Sequence, residues 1–266
     1  MVPDEQEIHI DQSALVEARK SIPPEDFANR QFDCPATTET TDVLFLLSTP
    51  RCGSTFLADL IRRADWCLPH EYFQHFEYLP ILANRWGCIR AGVLDKNAYV
   101  TQLCAMRTYS NGWLGINLHG NHLATFAKFS GDFPSLNEQY IHLRRRDRIA
   151  QAVSYEIAAQ TGKWSSHFQA GNDATYSFEA IRKRIQIIEE QELKISSYLQ
   201  SREASCATIY YEELIEDPEA VLGPILTTTL GSLALPKSDL SPQASQINLD
   251  WAQRFAKQVS KKTSAV

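Results

Sequence analysis

Residues 43–63 read VLFLLSTPRCGSTFLADLIRR. Val43 to Ser48 is almost wholly apolar, the pattern of a strand buried on both faces. Thr49-Pro50-Arg51-Cys52-Gly53-Ser54-Thr55 interrupts it. Beyond the turn, Phe56, Leu57, Leu60 and Ile61 recur at helical spacing, with Asp59, Arg62 and Arg63 opposite. The expectation is a buried strand, a tight turn and a helix. A helix N-terminus presents unpaired N–H groups and the positive end of its dipole. A turn carrying Gly, Ser and Thr there can wrap amides and hydroxyls around an anion such as phosphate. Gly53 permits close backbone approach, Ser54 and Thr55 add hydroxyls, and Arg51 adds a charged fork of donors. A nucleotide P-loop carries lysine before its hydroxyl residue; no lysine stands here.

Further along, strands and helices alternate. Trp113 to His119, Tyr140 to Leu143 and Cys206 to Tyr211 read as strands. Helical stripes run over Ile149 to Thr161 and Phe178 to Leu199, from Pro218, and near Leu249 to Lys261. Residues 76 to 107 are helical in part, with Trp86 and Tyr99 as packing anchors and breaks at Gly87 and Gly92. This alternation predicts an α/β fold: a P-loop-like three-layer sandwich with a central parallel sheet flanked by helices. Residues 41–266 form its single domain. Residues 1–40, with a short helix over DQSALVEARKSI, read as an N-terminal arm without a core role. Ligands of such sheets bind at the carboxyl ends of the strands, where the loop, His119, Arg146 and Tyr211 fall.

Lys plus Arg number 26 against 32 Asp plus Glu, a net charge of −6 that argues against nucleic-acid binding. An anionic ligand must then meet a local arginine cluster. No apolar run approaches the roughly 18 residues of a transmembrane segment. The N-terminus is acidic and polar, unlike a secretory signal, so a cytoplasmic location is expected. The six cysteines show no C-x-x-C pair and read as reduced thiols. No metal site is expected.

Arg144-Arg145-Arg146 follows a strand and precedes a helix carrying Ser154, eight residues after Arg146. An arginine at a strand end and a serine two turns on can grip a second phosphate. The absent lysine, and the absence of a metal-holding aspartate directly at the strand end, disfavour ATP–Mg²⁺.

Together these words resemble the 3′-phosphoadenosine 5′-phosphosulfate (PAPS)-dependent sulfotransferases, most closely the bacterial trehalose 2-sulfotransferase-like group. The matching words are Thr49 to Thr55, Pro69-His70-Glu71-Tyr72-Phe73, Arg145-Arg146-Asp147, Gln151-Ala152-Val153-Ser154, Gln160 to Trp164 and Tyr211-Glu212-Glu213-Leu214. The resemblance implies PAPS as sulfuryl donor, no metal, and a hydroxyl of a carbohydrate, small molecule or glycolipid as acceptor. It places Arg51, Cys52, Gly53, Ser54 and Thr55 on the 5′-phosphosulfate, Arg146 and Ser154 on the 3′-phosphate, and Tyr211 near the adenine. Glu71 is implied as general base at the acceptor, with His119 in reserve. Trp164 reads either as a sugar-stacking residue or as core packing. Two residues depart from the pattern: Cys52 where serine is usual, and Asn117 where lysine is usual. Two other readings stay open: a P-loop phosphotransferase, and a noncatalytic member that binds nucleotide or sugar. The oligomeric state is also open, a homodimer included.

Overall fold

The computed structural model describes residues 7–11, 15–16, 22–164, 173–231, 238, 240 and 246–263. The expected arm helix falls largely outside the described residues, as do Gly171, Asn172 and most of the Ser/Pro-rich tail.

Strand β1 (Asp42–Ser48) lies inside a four-stranded parallel sheet with β4 (Trp113–His119), β5 (Asn137–Arg144) and β6 (Cys206–Tyr210), in the order β4-β1-β5-β6. Both faces of β1 are covered. Leu44 and Leu46 pack with Leu57, Leu60 and Ile61 of helix α1 (Ser54–Arg63). Val43, Phe45 and Leu47 face the opposite core, which includes Tyr72, Tyr99, Leu103 and Ile195. Each leucine buried this fully contributes about 1.5–3 kcal/mol, which explains a strand with no solvent-facing alternation. The three-layer α/β expectation therefore stands.

Register places the site. Ser48 is level with His119, Leu47 with His142, and Arg144 with Tyr210. The carboxyl ends of all four strands thus meet along one edge, where the chain turns into helices. Residues 76–107 resolve into α2 (Tyr78–Arg85), a small antiparallel pair β2 (Ile89–Arg90) and β3 (Val93–Leu94), and α3 (Lys96–Arg107). Beyond β4 come α4 (Leu123–Ala127) and, after β5, α5 (Arg148–Thr161) and α6 (Phe178–Ser201). Helices α7 (Tyr211–Glu216), α8 (Pro218–Leu230) and α9 (Gln246–Thr263) complete the described chain. Trp251 and Phe255 of α9 close a third apolar cluster over α5 and α6.

The arm does have a core role, against expectation. Ile10 joins the core of one face and Phe27 that of the other. The Ile10 N–H bonds the Gly92 carbonyl at 2.9 Å, and the buried Arg107 donates to the Phe27 carbonyl at 2.8 Å. Arg107 and Arg85 both hold Asp33, at 3.0 and 2.7 Å. The anchors are single apolar residues spaced along a polar segment, so no periodicity announces them.

Candidate active site

The turn after β1 is held from a distance. Gln151 of α5, fully buried, donates through Nε2 to Thr49 Oγ1 at 2.9 Å and to the Pro50 carbonyl at 2.8 Å. This clamp steadies Arg51 in the left-handed region (φ 63°), a conformation that costs a residue with a Cβ about 1 kcal/mol. Gly53, also left-handed, starts α1, and no side chain caps that helix end. Gly53, Ser54, Thr55 and Phe56, the residues of this helix start, all line one cavity.

Arg51 Nε donates to Ser154 Oγ at 3.0 Å, and its Nη1 bonds the Trp164 carbonyl. Arg145 lies alongside: its Nη1 donates to the Arg51 carbonyl at 3.1 Å, and its guanidinium stacks 4.7 Å from the Tyr211 ring centroid. Burial, then the neighbouring Arg145, lower the Arg51 pKa to about 10, so the Arg51 guanidinium is still charged at neutral pH. Arg145 Nε is buried with no hydrogen-bond partner among the described residues. Two adjacent guanidinium groups, an orphaned N–H, hydroxyls and an uncapped helix end form a donor set that fits a phosphate-type dianion.

Arg146 stands elsewhere. It pairs with Glu213, lies 3.8 Å from the Tyr210 ring centroid and is not among the residues lining the cavity. Glu212 receives the backbone N–H groups of Arg146 and Asp147, both at 3.1 Å, and so fixes this junction. Cys52 also stays out of the cavity. Its side chain is fully buried in the core, where burial raises the thiol pKa to about 11. A serine there would have no access to a ligand, so this departure from the family pattern leaves the donor set unchanged.

Glu71 is brought in by the segment after α1. Residues 68–70 lie against β4, with the Asn117 N–H on the His70 carbonyl at 2.9 Å. Gly115 makes that approach feasible: a Cβ there would stand 2.6 Å from the Pro69 nitrogen. The carboxyl of Glu71 sits 3.7 Å from His119 Nε2 and 3.8 Å from His122 Nε2. Burial raises the Glu71 pKa to about 8 and lowers that of His119 to about 4. Asn117, between the loop and Glu71, accepts from Ser48 Oγ at 3.0 Å.

The donor atoms of Glu71, His119 and His122 lie within 4.8 Å of one another, close enough to approach a cation. However, His122 Nδ1 accepts the His119 backbone N–H at 3.2 Å. That commitment puts the imidazole proton on Nε2, the atom facing Glu71, and a neutral ring in this tautomer offers no lone pair there.

One cavity of about 1170 Å³ joins the arginine-rich turn to the Glu71 cluster. Arg51, Gly53, Ser54, Thr55, Arg145, Ser154, Trp164 and Tyr211 line it at one end, and Glu71, His119, Asn117, Asp26 and Tyr78 line the same chamber. Of the residues singled out from sequence, only Cys52 and Arg146 are absent. Arg145, His122, Gln151 and Asp26 went unrecognised. Arg145 was hidden within its arginine run, and His122 lies one short turn beyond His119. Gln151 gave no sign of its long-range bonds, and Asp26 had no local signal.

A parallel α/β sheet thus brings the arginine-rich turn and the part-buried Glu71 carboxyl to one chamber, and comparison with known proteins gives its class, a group-transfer one. The family model of the Stf0 sulphotransferases matches residues 44–258. The chain belongs to that family. It is similar to a trehalose 2-sulfotransferase of Mycobacterium tuberculosis (strain ATCC 35801 / TMC 107 / Erdman). The two are 26% identical over 251 residues, spanning 79% of this chain and 92% of that protein.

Proposed function

We propose that this protein moves a sulfuryl group from PAPS to a hydroxyl of a carbohydrate or glycolipid acceptor, with Glu71 as general base. One observation carries the reading: the paired guanidinium groups at the β1 turn and the part-buried Glu71 carboxyl open into one chamber. The donor supplies an activated sulfuryl group on a phosphate leaving group. Arg51, the α1 amides, Ser54 and Thr55 would hold its 5′ end and stabilise charge developing on the leaving oxygen. Ser154 and Arg145 would hold the 3′-phosphate. The Tyr211 ring, stacked on Arg145, offers a flat face to the adenine.

Glu71 would take the acceptor proton. With a pKa near 8 it matches proton transfer at neutral to mildly alkaline pH better than an ordinary carboxylate. Asp26 and Tyr78, hydrogen-bonded to each other at 3.1 Å, supply acceptor and donor atoms suited to a polyhydroxyl ligand. The Trp164 ring, 37% exposed at the cavity, could lie over a sugar face.

Thermal shift with 3′-phosphoadenosine 5′-phosphate, compared with ATP plus Mg²⁺, tests the donor class. Stabilisation by the first without metal is expected; stabilisation by MgATP alone would overturn it. Labelled PAPS with trehalose, other sugars and glycolipids then tests transfer. Donor binding with no labelled product across the panel would favour a noncatalytic role, the reading that Asn117 in place of lysine supports.

A further inference from the structure

His122 has no part in the reading above, yet its ring is held more firmly than that of His119. The turn from β4 into α4 closes on itself: the His122 N–H donates to the His119 carbonyl at 2.8 Å, and the His119 N–H returns to His122 Nδ1 at 3.2 Å. The two imidazoles stack at 4.9 Å with 17° between planes. His122 is 2% exposed, and its Nε2 lies 3.8 Å from Glu71 Oε2.

A backbone N–H can only donate, so Nδ1 must accept and the ring proton must sit on Nε2. Burial, together with His119, His75 and His70 nearby, holds the His122 pKa well below the ordinary histidine value. The ring therefore stays neutral and presents a directed N–H to the carboxyl. The 3.8 Å gap needs only a small closure, and catalytic hydrogen bonds commonly tighten when ligand binds.

We infer that His122 is a positioning residue: its backbone-locked Nε2–H orients the Glu71 carboxylate so that the other oxygen meets the acceptor hydroxyl. This rests on Glu71 being the base. Donation favours the ionised carboxyl, countering burial and the repulsion of Glu77. The other titratable groups that act on this pair are Asp26, Glu77, Tyr78, His70, His75 and His119.

The test uses the full chain with PAPS and whichever acceptor the panel yields. His122→Phe keeps the ring volume and removes the N–H. It should lower kcat on the order of 10- to 100-fold and leave the Kd for 3′-phosphoadenosine 5′-phosphate within about twofold. The acid limb of the kcat–pH profile should move to higher pH, because Glu71 loses a donor to its charged form. His122→Gln, which returns an N–H near the Nε2 position, should recover most of kcat and the limb. In wild-type protein, ¹⁵N NMR of the histidines should show a neutral His122 protonated on Nε2. A proton on Nδ1, or an unmoved kcat and acid limb in His122→Phe, would overturn the inference. So would equal losses of thermal stability and nucleotide binding in both variants, the mark of a purely structural role. Glu71→Gln separates the two readings. If it abolishes transfer while His122→Phe changes nothing, only the positioning role falls; if it still turns over, the base assignment falls and takes this role with it.

Discussion

Gly53 lies against the Cδ2–Cε2 side of the Tyr211 ring: a Cβ on the glycine would stand 2.5 Å from Tyr211 Cδ2. The residue that starts α1 and the residue that follows β6 are therefore in contact across the sheet edge, although the chain between them is long. Gly53→Ala combines a left-handed backbone with a displaced aromatic ring. The expected cost is about 1–3 kcal/mol in stability together with weaker binding of 3′-phosphoadenosine 5′-phosphate. Tyr211→Ala in the same chain should relieve the steric part. Calorimetric Tm values for the single and double variants measure both, and a neutral Gly53→Ala would contradict the contact.

The two arginines at the β5–α5 junction should behave differently. Arg145 lines the cavity and has an unpartnered Nε, whereas Arg146 is held by Glu213 on the outer side. Arg145→Ala should weaken 3′-phosphoadenosine 5′-phosphate by about 1.5–3 kcal/mol, with a smaller effect on adenosine 5′-phosphosulfate, which lacks the 3′-phosphate. Arg146→Ala should change both little. Titration calorimetry with the two nucleotides decides, and the opposite ranking would restore Arg146 to the nucleotide.

Stability should pass through a maximum in pH. Glu71 takes up its proton near pH 8 in the folded chain and near 4.5 when unfolded. Between those values the folded state binds the extra proton, so stability rises as pH falls through 8, with a limiting slope of about 1.4 kcal/mol per pH unit. Below about 6.5 the histidines reverse the trend. His70, His119 and His122 resist protonation in the fold, so the unfolded chain then gains protons that the native chain refuses. Denaturant titrations from pH 5.5 to 9 should show the maximum, and Glu71→Gln should flatten its alkaline side and steepen its acid side, where the histidines are then unopposed.

Asp26 places a second carboxyl on the cavity wall. It is fixed by the Ala28 N–H at 2.7 Å and the Tyr78 hydroxyl at 3.1 Å, and burial raises its pKa to about 6. Asp26→Asn should raise the acceptor KM roughly ten- to hundredfold while sparing nucleotide binding, the size expected for a hydrogen bond to a charged group. An unchanged KM would remove the arm from the acceptor pocket.

Local pattern carried much of this protein into view. A run of apolar residues ending in a Gly/Ser/Thr turn states a buried strand and a helix after it, because each property depends on neighbours in sequence. The four parallel strands and the roles open to Arg51, Ser54 and Glu71 could be read the same way. Long-range packing alone chose Arg145 over Arg146 for the cavity, since the pull of Glu213 and Tyr210 on one guanidinium depends on where β6 ends. It also buried Cys52, brought the arm's Phe27 into the core and set His122 against Glu71. These outcomes arise from contacts between residues far apart along the chain, and neither spacing nor composition encodes which partners will meet.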